Sequence, residues 1–311
     1  MPGWGPSTPD REWLEGSLVF VSRRKPVQRL VTTMDIFPLP FAKMSGAGND
    51  FIIIDHRQQR IPENEQSAFA QKVCRRKFSV GADGLILIEN SEKADFKWRF
   101  YNADGSVAEM CGNGARCAAR FASLSGIAGT SMRFQTIAGI IEAEVLDDGD
   151  TVSLRMTDPT GCLLGRQIEV LERRLEVSSI DTGVPHAVIF IDEEDFPVKQ
   201  WGKAIRFHPM FQPVGTNVNF VRLLADGSLH VRTYERGVED ETMACGTGAV
   251  ASAIIAGLYR RTAVPVQVLT SGGERLTVVF SVRGDDSIGD VHLQGPARLI
   301  YEGRLTAEAL L

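Results

Sequence analysis

Apolar positions in this chain come in short runs rather than long periodic ones. Phe51–Asp55, Leu85–Glu89, Trp98–Tyr101, Ser131–Gln135 and Ile140–Val145 are β-branched or aromatic stretches bounded by Gly, Asn or Asp, which predicts strands. Glu63–Arg76 and Gly112–Leu124 have helical composition. The order then repeats. Strands are expected at Ala187–Ile191, Asn217–Leu223, Leu229–Tyr234, Val264–Thr270, Leu276–Val282 and Val291–Gln294, with helices at Asp195–Phe207 and Gly246–Leu258. Strands outnumber helices and no regular βαβ alternation is visible, so the expected class is α+β. Residues 247–258 are apolar or small on every face, the mark of a helix buried all round. The simplest arrangement is a mixed sheet curled around that central helix. Arg116 and Arg120 interrupt the matching first-half helix, whose wrapping is expected to be less complete.

The repetition extends to residue identities. Gly46-Ala-Gly-Asn-Asp-Phe-Ile-Ile-Ile-Asp55 aligns with Gly183-Val-Pro-His-Ala-Val-Ile-Phe-Ile-Asp192, and Phe96–Asn102 aligns with Leu229–Glu235. Glu109-Met-Cys-Gly-Asn-Gly-Ala115 aligns with Met243-Ala-Cys-Gly-Thr-Gly-Ala249. Three blocks in one order at nearly one offset point to an internal duplication, read as two structurally similar domains rather than a solenoid of short repeats. The expected division is 34–152 carrying Cys111, joined by the C-terminal segment 296–311, and 153–295 carrying Cys245. A turn at Asp-Asp-Gly-Asp marks the junction near Asp147–Asp158. Residues 1–33 scatter four prolines without a hydrophobic period and read as a flexible extension, or as sequence upstream of a start at Met34.

Each cysteine stands where a small-residue helix begins. A helix N-terminus offers unpaired N–H groups and partial positive charge, both of which favour a thiolate and bring its pKa into a working range. Gly112, Gly114, Gly246 and Gly248 let the backbone approach a ligand, so the two helix starts could grip one carboxylate from both sides of a shared inter-domain cleft. Negative charge builds on that carboxylate when its α-proton leaves, and the same N–H groups then stabilise the transition state. One sulfur removes the proton while the other delivers one. The design suits α-proton abstraction from an amino acid without pyridoxal phosphate. The bland alternative, buried cysteines acting as small hydrophobes, fits Cys74, Cys117 and Cys162 better. The repeat sets His186 opposite Asn49, and Glu235 opposite Asn102. His186 is expected to tune thiol pKa. Glu235 and Arg236 suit a zwitterionic substrate head, since Arg holds a carboxylate bidentately.

Composition narrows the field. A length of 311 residues allows two domains, each with its own core. The net charge of −5, and the lack of any basic run with aromatics, argue against nucleic acid. The longest apolar runs are strand-sized, which argues against a membrane helix. Five cysteines cannot all pair and form no metal-like cluster, so free thiols in a reducing compartment and no metal are expected.

Taken together, Gly46-Ala-Gly-Asn-Asp-Phe, Tyr101-Asn-Ala-Asp-Gly-Ser, Met110-Cys-Gly-Asn-Gly-Ala-Arg116, Tyr234-Glu-Arg-Gly and Ala244-Cys-Gly-Thr-Gly resemble the diaminopimelate epimerase family, over roughly Phe37 to Leu305. The resemblance implies a cofactor-independent isomerase that interconverts LL- and meso-diaminopimelate for lysine and peptidoglycan, acting as a cytoplasmic homodimer. Carried over by motif, Cys111 and Cys245 are the two acid/base residues. The N–H groups of Gly112, Asn113, Gly246 and Thr247 bind the reacting carboxylate, and Asn49 faces the same centre. Asn102, Asn217, Glu235 and Arg236 contact the substrate's other polar groups; His186 and Glu235 tune the thiols; Tyr301 matches a dimer contact. Gly84 and Val184 stand where many relatives carry amides, and the loop Gly237–Thr242 is one residue longer than in some. Rival readings are a proline-, hydroxyproline- or histidine-type racemase on the same fold, a thiol–disulfide protein, and a carboxylate-binding module that needs the glycines but not the sulfurs.

Overall fold

Why Phe51–Ile54 is apolar at every position becomes clear once its neighbours are placed. The computed structural model describes residues 36–284 and 287–311, so the expected extension at 1–33 lies outside the described residues. Strand β1 (Leu39–Gly46) turns into β2 (Asn49–Asp55), followed by α1 (Glu63–Val73), β3 (Gly84–Glu89), β4 (Phe96–Asn102), α2 (Gly112–Leu124), β5 (Ser131–Thr136), β6 (Gly139–Val145) and β7 (Thr151–Arg155). Phe51 and Ile53 pack toward α2, together with Ile86, Phe96 and Phe134. Ile52 and Ile54 pack on the opposite face under α1, against Phe69, Ala70 and Val73. A strand covered on both faces loses the usual polar alternation.

The second half repeats the plan: β8 (Thr160–Val170), β9 (Arg173–Asp181), β10 (Pro185–Phe190), α3 (Val198–Arg206), β11 (Asn217–Leu223), β12 (Leu229–Glu235), β13 (Asp240–Thr242), α4 (Gly246–Leu258), β14 (Val266–Thr270), β15 (Arg275–Val282), β16 (Ile288–Pro296) and β17 (Arg298–Leu305). In the first half β2 and β3, and β4 and β5, are parallel pairs, spanned by α1 and α2. In the second, β10 and β11, and β12 and β14, are the parallel pairs, spanned by α3 and α4. Helical crossovers are what parallel neighbours require. The βαβ units missing from the sequence pattern are therefore present, masked by antiparallel hairpins between them.

The protein thus has two lobes of mixed sheet, each wound on its own helix. Ala115, Cys117, Ala118, Ala119 and Ala122 of α2 lie in the first core, and Ala249–Ala251 with Ala253–Ala256 of α4 in the second. Small side chains let strands close in around a helix from several directions. The expectation of looser wrapping at α2 does not hold: Arg116 has 0% exposure and α2 is buried from Asn113 to Ala119.

Two stretches differ from the sequence reading. The expected junction at Asp147–Asp158 does contain a turn, with Asp150 and Thr151 N–H groups bonded to Asp148 Oδ1. But Thr151–Arg155 continues as β7, which pairs antiparallel with β16 and sews the lobes together. Val152 and Leu154 belong to the first core, so the 152/153 division cuts through a strand, and Met156 packs against both cores. The chain returns to the first lobe at Ala297. There β17 pairs with β1, the outer position that β8 occupies beside β9 in the second lobe. Strand β8 escaped notice because two positive-φ glycines, Gly161 and Gly165, and its shifts of register break any alternation.

Candidate active site

Both cysteines are helix N-caps with extended backbone, Cys111 at φ −147°, ψ 118° and Cys245 at φ −121°, ψ 109°. Their carbonyls accept the first helical bonds, from Ala115 N at 2.8 Å and Ala249 N at 2.9 Å. The N–H groups ahead of those bonds have no helical acceptor. At α2, the N–H groups of Gly114 and Asn113 turn to the Cys111 sulfur; at α4, the Gly248 N–H and the Thr247 hydroxyl, 3.5 Å away, turn to Cys245. Both thiols are free and half-buried. A Cβ added to Gly112 would meet open space, so that helix start faces a gap.

Helix termini alone were expected to lower both thiol pKa values. Instead burial pushes both up, and the N–H groups only moderate the rise. The surroundings are unequal. Burial and the Glu235 carboxylate push Cys245 up to about 12; both also raise Cys111, where the Arg116 guanidinium opposes them. Charge on Cys111 also raises Cys245, so the two sulfurs share one electrostatic environment and disfavour a second thiolate. Burial raises the Glu235 carboxyl itself.

Behind Cys111 runs a chain of amides whose direction is settled at both ends. Arg116 can only donate, and its Nη2 bonds Asn113 Oδ1 at 2.6 Å. Asn113 Nδ2 donates to Asn49 Oδ1 at 2.7 Å, and Asn49 Nδ2 donates to the acceptor Asp83 Oδ2 at 3.1 Å. Arg116 has no carboxylate at ion-pair distance among the described residues; Cys111 lies among the groups that favour its charge. Sequence reasoning passed over Arg116 and Asp83. The available signal was a charge inside a helix otherwise made of core residues.

Asp50 anchors the far end of this chain. Burial opposes its ionisation, but Arg76 and Lys43 outweigh burial and hold it at about 2, below the ordinary 3.8. A carboxyl lowered on folding contributes stability above its unfolded pKa and loses it as pH falls through the folded one. Thermal melts should therefore show a loss of stability between about pH 4 and pH 2 that Asp50→Asn removes. An unchanged acid limb in that variant would contradict the assignment.

The remaining expected residues divide. Asn217, buried at the start of β11, accepts Arg236 N–H at 2.8 Å and donates to Pro185 O at 3.3 Å. Arg236 Nη1 bonds Val214 O, and its charge acts on His186. These three form one cluster in the second lobe, with Glu235 next along β12. Asn102 ends β4 and is exposed, bonded to Ser106 Oγ rather than to another expected residue. Tyr301 lies on the outer strand β17, 45% exposed and edge-on to Phe41. Gly84 is explained by packing: a Cβ there would come within 2.5 Å of Phe100 Cε2, so an amide has no room.

Duplicated lobes of this kind define a fold class shared with solved structures at low identity. A Bacillus anthracis phenazine biosynthesis protein of the PhzF family superposes with a TM-score of 0.63 at 17% identity, covering 86% of this chain and 98% of that one. A probable proline racemase from Agrobacterium radiobacter K84 gives 0.61 at 14%, covering 86% and 93%. The particular family follows from sequence. The diaminopimelate epimerase profile matches residues 41–161 and again 178–299, one match per half. The diaminopimelate epimerase of Aquifex aeolicus is 46% identical over 291 residues, covering 88% of this chain and 99% of that protein. The chain belongs to the diaminopimelate epimerase family.

Proposed function

We propose that this protein interconverts LL- and meso-2,6-diaminopimelate by passing the α-proton between two sulfurs, a step on the way to lysine and peptidoglycan. The observation that carries the reading is the pair of half-buried cysteines heading two enclosed helices and coupled to each other by charge. In each direction of turnover one sulfur serves as the thiolate and the other as the thiol; Arg116 favours charge on Cys111, and Glu235 disfavours it on Cys245. The thiolate takes the α-proton, breaking C–H and forming S–H. The thiol gives its proton to the opposite face of the same carbon. Charge that spreads onto the α-carboxylate is held by the N–H groups of Gly112, Asn113, Gly246 and Thr247, with Asn49 beside them. Asn102, Asn217, Glu235 and Arg236 hold the remaining polar groups, and a second charged head is what separates this substrate from proline. The chemistry needs no cofactor.

We further assign a cytoplasmic homodimer. Free reactive thiols suit a reducing compartment. The outer edge of β17, which pairs with no other strand among the described residues and exposes Tyr301 and Ile300, suits a second copy. No described helix is long and apolar enough to cross a membrane.

Reduced protein incubated with LL-diaminopimelate in heavy water should incorporate α-deuterium and approach an LL/meso equilibrium, and proline or histidine should not exchange. Deuterium entering proline but not diaminopimelate would move the assignment to another racemase.

A further inference from the structure

Asn219 is fully buried on β11 and faces three groups at once. Its Nδ2 is 3.0 Å from Ala187 O and 3.0 Å from His186 Nδ1, while its Oδ1 accepts from Thr233 Oγ1 at 2.9 Å. The amide cannot be turned over. A carbonyl oxygen only accepts, so the atom beside Ala187 O must be the NH2. That same NH2 meets His186 Nδ1, which must then accept. The ring proton is left on Nε2. This nitrogen is buried and has no hydrogen-bond partner among the described residues.

We propose that Asn219 is a positioning residue that holds His186 in the neutral Nε2–H tautomer, so that the ring presents one buried donor to an anionic oxygen or sulfur at the reacting centre. The proposal rests on the site assignment above. Burial and the Arg236 charge keep the ring uncharged, at about 3, which agrees with a single fixed tautomer. The amide also lies against the α4 start. A Cβ on Gly248, whose N–H reaches the Cys245 sulfur, would come within 2.3 Å of Asn219 Oδ1. One side chain thus sets both the ring's proton and the packing of the helix that carries Cys245. An unsatisfied buried donor is costly, and an anion that accepts from it recovers that cost when it arrives.

Nitrogen-15 spectra of ring-labelled protein read the tautomer without any turnover. Wild type should show a pyridine-type Nδ1 and a protonated Nε2 at neutral pH, with the Nε2–H signal shifting when meso-diaminopimelate is added. Asn219→Asp, which offers Nδ1 an acceptor, should move the proton to Nδ1. Its kcat should fall about 10- to 100-fold, as for other partners that orient a working imidazole, with KM changed less. Thr233→Val leaves Ala187 O in control and should keep the wild-type tautomer. A wild-type ring protonated on Nδ1 overturns the proposal whether or not the variants fold. So does Asn219→Asp with an unchanged ring and normal kcat. Failure of diaminopimelate exchange beside a confirmed tautomer would sink the substrate assignment alone.

Discussion

Cys111→Ala and Cys245→Ala should each lower epimerisation by about 10²–10⁴-fold or more, the range that a positioned acid or base supplies. Inversion at carbon needs a base on one face and an acid on the other, so neither sulfur can stand in for its partner. The two variants should not behave alike. Cys245→Ala retains the sulfur whose charged form Arg116 favours, and removes the thiol proposed as the opposite acid. Such a protein should still take up deuterium from heavy water at the α-carbon of the one stereoisomer whose proton faces Cys111, without inverting it. Cys111→Ala retains a thiol held at about 12, too weakly ionised near neutrality to abstract well, and should exchange little. Separate measurement of deuterium wash-in and LL/meso ratio distinguishes these cases. Near-normal inversion in either variant would end the two-base scheme.

Gly248→Ala should be nearly as harmful, although it adds one methyl group. The new Cβ would meet Asn219 Oδ1 at 2.3 Å and Cys245 Cβ at 3.3 Å. Asn219 is held by three hydrogen bonds and cannot retreat without breaking one, so the start of α4 must shift instead. Overpacking of this kind costs about 1–3 kcal/mol of stability. A displacement near 1 Å of a catalytic group can cost about 100-fold in rate. We expect kcat to fall by about that factor, with a melting temperature lowered by a few degrees. Gly126→Ala provides the contrast, because a Cβ there meets nothing within 4 Å, although its φ of +64° adds some strain. Activity of Gly248→Ala at the level of Gly126→Ala would show that the close approach at α4 is not critical.

The repeat made the matching places of the candidate site residues legible before any coordinates. His186 and Asn49 hold matching places at the starts of β10 and β2, and Glu235 and Asn102 matching places at the ends of β12 and β4. The helices Gly112–Leu124 and Gly246–Leu258 begin and end where the sequence puts them. What it could not reveal was which polar residues turn inward. Asn219 differs little from any other strand asparagine until Ala187 and Thr233 close on it. Arg116 looked like an interruption of a buried helix, yet it is enclosed where Pro296 returns from the far end of the chain.

Sequence by itself determined the duplication, the class of strands and helices in each half, and the cysteines' place at the two helix starts. These depend on neighbours a few residues apart: glycines that open a helix, small residues that sustain it, β-branched runs that extend. Tertiary structure alone decided that β7 and β16 join the lobes, that β17 completes the first sheet, and that burial raises both thiols while the Arg116 charge acts on Cys111. Those outcomes depend on burial and on charges brought together from distant parts of the chain, and no local pattern encodes how much water a folded neighbour will exclude.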